Sequence, residues 1–89
     1  MKILITKEHV LAAIKENGLP TNSCAMHQAL RPFIKEIFSV VGPEAHNDRT
    51  DAIFHFDRHL PVELYGARYD DALAHIEKHG PYEFEVSGL

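Results

Sequence analysis

Three kinds of residue in this chain have the chemistry to build a site: a single cysteine, Cys24, seven histidines, and two closely spaced acidic pairs. Cys24 follows Ser23, a residue suited to cap a helix, so the spacing predicts it in the first turn of the second helix. Helix N-termini favour thiolates, because orphan amides and the peptide dipole stabilise negative charge. His55, His59 or His75, brought beside it, would complete a Cys–His pair of the kind nucleophilic catalysis uses. The competing reading is packing. Cys24 opens an apolar stripe, and free cysteines are among the most buried side chains. No nucleophile signature surrounds it, so the sequence assigns no catalytic residue.

The histidines offer metal-ligand spacings. His55 and His59 are four apart with Asp57 between them, His75 and His79 are four apart on a predicted helix, and Cys24 and His27 form C-x-x-H. An i, i+4 pair can bind zinc because both rings leave one helix face. No set supplies four ligands locally. The stretch H-I-E-K-H also places its acid one position too late for the zinc-protease pattern. No metal or cofactor is therefore assigned. His75 and His79 read as the polar edge of a helix, with His79 suited to its C-terminus. Imidazoles titrate near neutrality, so pH sensing is a further reading beside that of ordinary surface residues. The acidic pairs, Asp70 with Asp71 and Glu83 with Glu85, read as a helix start and an outer strand face rather than as acid–base dyads. The five glycines are isolated near turns, so no phosphate loop is present.

The elements that must position these residues follow from hydropathy. KILI at 2–5 reads as a buried strand. Thr6 reads as an N-cap whose hydroxyl accepts from the amide of Glu8 or His9, with Ile5 and Val10 as a hydrophobic staple. Val10, Leu11, Ala13 and Ile14 form one face of a helix over 7–17, which Gly18 ends. A loop follows over Leu19–Asn22. Ser23 caps a second helix with a core stripe of Met26, Ala29, Leu30 and Phe33, and Pro32 kinks or ends it. IFSVV at 37–41 reads as a strand. GPEAHNDRTD at 42–51 reads as a long mobile loop joining two strands. The next strand, 52–56, alternates Ala52, Phe54 and Phe56 against Ile53 and His55. Residues 57–67 are irregular, with room for one helical turn. Tyr69, Ala72, Leu73 and Ile76 mark a third helix ended by Gly80 and Pro81. In YEFEV, Tyr82, Phe84 and Val86 face in and Glu83 and Glu85 face out.

The order β-α-α-β-β-α-β predicts an α+β fold: a small, mostly antiparallel sheet with helices on one face, and a single domain over 1–89. Composition agrees, with 45% hydrophobic and 25% charged residues in 89. One cysteine excludes an intrachain disulfide framework. Net charge is −4, with nine scattered Lys and Arg, so no cationic surface for nucleic acid is expected. No apolar run reaches membrane-span length, and the start is too short for a signal segment, so a cytoplasmic location is expected.

At SCAMHQALRPFI, with ITKEHV before it and YEFEV near the end, the chain resembles a loose group of small phage and prophage proteins. These open with a strand, a Thr-capped helix of the I-T-x-E-H-I type and a second helix of the C-P-x-A-L-A-L type, and close with an F-x-F strand. Ile5, Thr6, Glu8, His9 and Val10 match the opening. Cys24, Ala29 and Leu30 match the second helix, whereas Ala25 stands where that pattern has proline, and His27 and Gln28 interrupt its apolar run. The resemblance implies phage origin and a cytoplasmic accessory role, and carries no catalytic residue.

Together these readings predict a small non-enzymatic accessory protein that binds a host protein, as an inhibitor of a host enzyme or defence system. It would act as monomer or homodimer, without nucleic acid or membrane. The expected contact features are the 42–51 loop and the 57–68 segment, with Tyr65, Arg68 and Tyr69 as anchors. A small Cys/His-dependent or zinc enzyme and a homodimeric regulator are the alternatives.

Overall fold

The computed structural model describes residues 1–16, 23–35, 37–42, 44–56, 60–65 and 69–87. The expected helix end at Gly18, the Leu19–Asn22 loop, His59 and Arg68 lie outside them.

In β1, Lys2–Ile5, the side chains alternate as a strand dictates: Ile3 and Ile5 are buried, Lys2 and Leu4 exposed. Helix α1 spans Lys7–Glu16. Thr6 sits at its cap, but with different chemistry from that expected. The Thr6 carbonyl accepts from the His9 and Val10 amides, and the Thr6 amide donates to His9 Nδ1 at 2.9 Å. His9 thereby takes the part that Glu plays in a capping box. Both staple residues, Ile5 and Val10, are fully buried. The buried face of α1 is narrower than expected: Val10 and Ala13 are buried, while Leu11 and Ile14 are exposed. At about 3.6 residues per turn, a contact centred between Val10 and Ala13 leaves Ile14 on its rim and Leu11 on the far side.

Helix α2, Ala25–Leu30, is capped by Cys24 rather than Ser23. Cys24 has extended backbone angles, and its Sγ accepts from the His27 amide at 3.4 Å. Ser23 is fully buried and donates to the Ala13 carbonyl, which ties α2 to α1. As Pro32 requires, the helix stops within a turn of it. The amides of Phe33 and Ile34 both turn back to the Leu30 carbonyl. This tightening rotates Phe33 off the stripe, and it is 47% exposed.

Three strands follow where two were expected. β2, Phe38–Val41, pairs with β3, Glu44–Asn47, which lies inside the predicted 42–51 loop. Val41 pairs with Glu44, and the sharp reversal between them places Gly42 at φ +57°, a conformation glycine adopts at little cost. Buried Asn47 organises the next turn. Its Oδ1 accepts from the amides of Arg49 and Thr50, an Asx-type turn. β4, Ile53–Phe56, then returns beside β3. Phe56 is buried and Phe54 packs against the core, with Ile53 and His55 outside as expected; Ala52 is exposed and precedes the strand.

The expected helical turn occurs at Val62–Leu64. Helix α3, Tyr69–His79, ends at Gly80, which has φ +80° and donates its amide to the Ile76 carbonyl. β5, Tyr82–Ser87, buries Phe84 and Val86 and exposes Glu83 and Glu85. It inserts between β1 and β4. The five-stranded sheet has the order β1-β5-β4-β3-β2, with every pairing antiparallel. The helices cover one face, and the core between them and the sheet includes Ile3, Ile5, Met26, Leu30, Leu64, Phe84 and Val86. The fold is α+β, as the element order predicts. Among the described residues, no helix is long and apolar enough to cross a membrane.

Candidate functional site

The polar chemistry of the helical layer converges at the end of α2. His27 is 7% exposed, and its ring lies flat on Phe38 of β2, with centroids 3.9 Å apart and planes at 4°. Both ring nitrogens are engaged. Nδ1 accepts from Arg31 Nε at 3.0 Å, so it carries no proton, and Nε2 donates to the Phe38 carbonyl at 2.9 Å. That leaves the neutral Nε2–H tautomer. Arg31 in turn holds Glu16 of α1 through both terminal guanidinium nitrogens, and Gln28 adds a third bond to the same carboxylate. These contacts hold the Glu16 carboxyl down at about 2, with Arg31 the larger cause and Gln28 the second. Burial pushes the His27 imidazole below its ordinary value. One network thus joins α1, α2 and β2.

This network forms one wall of a cleft of about 510 Å³ lined by Glu16, His27, Arg31, Ile34, Lys35, Ile37 and Phe38. A second cleft of about 540 Å³, lined by Lys35, Ile37, Asp48 and Arg49, shares two of those residues. Ile37 stands between them. The sequence places it in a strand, but β2 begins at Phe38 and Ile37 is 79% exposed. Its carbonyl accepts from the Asp48 amide, which holds the corner to the β3–β4 turn. Asp48 also accepts from Ser39. Among the described residues, neither Lys35 nor Arg49 has an ion-pair partner. The corner therefore offers an exposed β-branched side chain beside two cations that have no ion-pair partner among the described residues.

The other histidines are dispersed. On the open face of the sheet, Glu44 lies between two of them, with His46 Nε2 at 2.9 Å and His55 Nδ1 at 3.8 Å. On α3, His75 Nδ1 meets Glu63 at 3.2 Å, and its ring lies 4.8 Å from that of His79. Among the described residues, no group of three His, Cys, Asp or Glu could hold a metal ion. Asp70 and Asp71 occupy the first turn of α3, where the dipole favours them.

Of the expected anchors, Tyr65 is half-buried and packs against the core. Tyr69 is also half-buried, and its hydroxyl is enclosed without a hydrogen-bond partner among the described residues. Cys24 and His27, the C-x-x-H pair, meet through the His27 amide rather than its ring. Cys24 is fully buried, and burial pushes its thiol up to about 11. At neutral pH, iodoacetamide should therefore label folded Cys24 at least about a hundredfold more slowly than the unfolded chain. Labelling at the unfolded rate would overturn this description of the thiol. Sequence reasoning missed Lys35 and Ile37, and included Arg49 only as part of the 42–51 loop. The i, i+4 spacing of His27 and Arg31 was a readable signal for the network.

Comparison with known proteins found no matching family model, no matching curated protein and no matching solved structure.

Proposed function

We propose that this chain is a small non-enzymatic accessory protein, phage or prophage encoded, that acts in the host cytoplasm by binding a host protein. The observation that supports this best is the Ile37 corner. An isoleucine left 79% exposed keeps apolar surface in water. Covering it in an interface would contribute roughly 1.5–3 kcal/mol. The clefts on either side can receive side chains from a partner, and Lys35 and Arg49 at their rims would steer an acidic surface into place. Tyr65 packs against the core and the Tyr69 hydroxyl is enclosed, so the contact is centred on Ile37 rather than on these two tyrosines.

Quantitative pulldown from bacterial lysate tests this, with wild type, Ile37→Glu and the control Val62→Glu as baits. Val62 is also exposed, but it lies outside both clefts. The expected result is one protein captured equally by wild type and Val62→Glu and depleted about tenfold or more by Ile37→Glu. If no captured protein depends on Ile37, the reading fails.

A further inference from the structure

We propose that His27 is the bolt of an acid-opened lock: a proton taken at Nδ1 releases Arg31, and with it the joint between α1, α2 and β2. The geometry allows one protonation state. Nδ1 must be bare to accept from Arg31 Nε, and Nε2 must carry the proton to reach the Phe38 carbonyl. A second proton would set a ring N–H against the Arg31 N–H at 3.0 Å and place two cations in contact. The ring has little room to turn away, because it is stacked on Phe38 and 93% buried. Arg31 must therefore move, and the bonds that tie Glu16 of α1 to α2 move with it.

The charged surroundings do not offset this. Arg31 from α2 disfavours the imidazolium, whereas Glu16 from α1 and Asp48 from the β3–β4 turn favour it more weakly than burial opposes it. Lys35, on the wall of the same cleft, adds another positive charge. Cys24 at the start of α2 donates no charge, since its thiol stays protonated.

Cys24 also reports the event. Its Sγ accepts from the His27 amide, so it is sealed by the same joint. The lock stands apart from partner binding, and its readouts need no partner. Two measurements on the whole chain test it. Ring nitrogen NMR should show the Nε2–H tautomer at neutral pH; an Nδ1–H tautomer would overturn the proposal. A dipyridyl disulfide, which reacts with thiols in acid, should then label Cys24 progressively faster as pH falls below about 6.5, with far-UV circular dichroism unchanged. A one-proton opening predicts a rise of up to about tenfold per pH unit, corrected for a small-molecule thiol. In His27→Gln the acceleration should be smaller by about tenfold or more at about pH 5, because the amide does not titrate and only the weaker effect of His9 on global stability remains. A flat wild-type profile, or the same acid acceleration in His27→Gln, would overturn the lock.

Discussion

Leu30→Ala is expected to cost about 2–5 kcal/mol of folding stability, whereas Phe33→Ala three residues later should cost under about 1 kcal/mol. Both belong to the stripe that helical spacing assigns to the core. Leu30 is fully buried, and its carbonyl receives the amides of Phe33 and Ile34 at the end of α2. Truncating it removes contacts and leaves a cavity that the sheet and α1 cannot fill. Phe33 lies beyond the helix, with about half its surface in water. A domain of this size has a total stability of about 5–10 kcal/mol, so Leu30→Ala approaches the unfolding threshold. Urea denaturation of both variants checks the pair. Equal losses would mean that α2 runs on past Pro32 and buries Phe33.

Stability should fall as the solution is acidified from about pH 7.5 to about pH 5.5. Two histidines carry the effect. His27 is buried and bonded through both nitrogens. His9 accepts the Thr6 amide at its Nδ1, and burial pushes it, like His27, below the ordinary 6.5. Both sites bind fewer protons in the folded chain than in the unfolded one. Stability is therefore fully present above the unfolded value and lost as pH falls through it, until the folded values are reached. The loss is at most about 1.4 kcal/mol for each histidine over this window. Glu16 does not contribute there, since it stays ionised well below the window. The check is the free energy of urea unfolding at three pH values across the range. A constant value would mean that these rings accept protons in the folded state at no cost.

Local chemistry was legible in proportion to how local its causes are. The third helix and the last strand could be read residue by residue. Ala72 and Ile76 repeat at helical spacing, Gly80 adopts the left-handed cap, and Phe84 and Val86 alternate with Glu83 and Glu85. The strand Glu44–Asn47 could not. EAHN has neither the β-branched nor the aromatic residues of a strand, and Gly42, Asn47 and Asp48 read as turn formers. It becomes a strand because neighbours on both sides complete its hydrogen bonds, and because Ala45 and Asn47 are covered by the core.

The candidate site divides in the same way. His27 and Arg31 are four apart on one helix, so their pairing could be anticipated. The burial of His27 could not, because the ring that covers it, Phe38, comes from the far side of the chain reversal. Ile37, Lys35 and Arg49 carry no motif; they form a corner because the β3–β4 turn hydrogen-bonds to the start of β2.

By itself, then, the sequence determined the α+β class, the helix ends at Pro32 and Gly80, the inward Phe84 and Val86 of β5, and the lack of a complete catalytic motif. Each depends on steric preference or periodicity within a few residues. Tertiary structure decided that Cys24 caps a helix with its thiol buried, that Leu4, Leu11 and Phe33 face water, that β3 exists, and that an exposed Ile37 shares a cleft with a buried histidine. Those outcomes rest on docking between segments distant in the chain, where burial and hydrogen-bond completion outweigh the local preferences of the residues concerned.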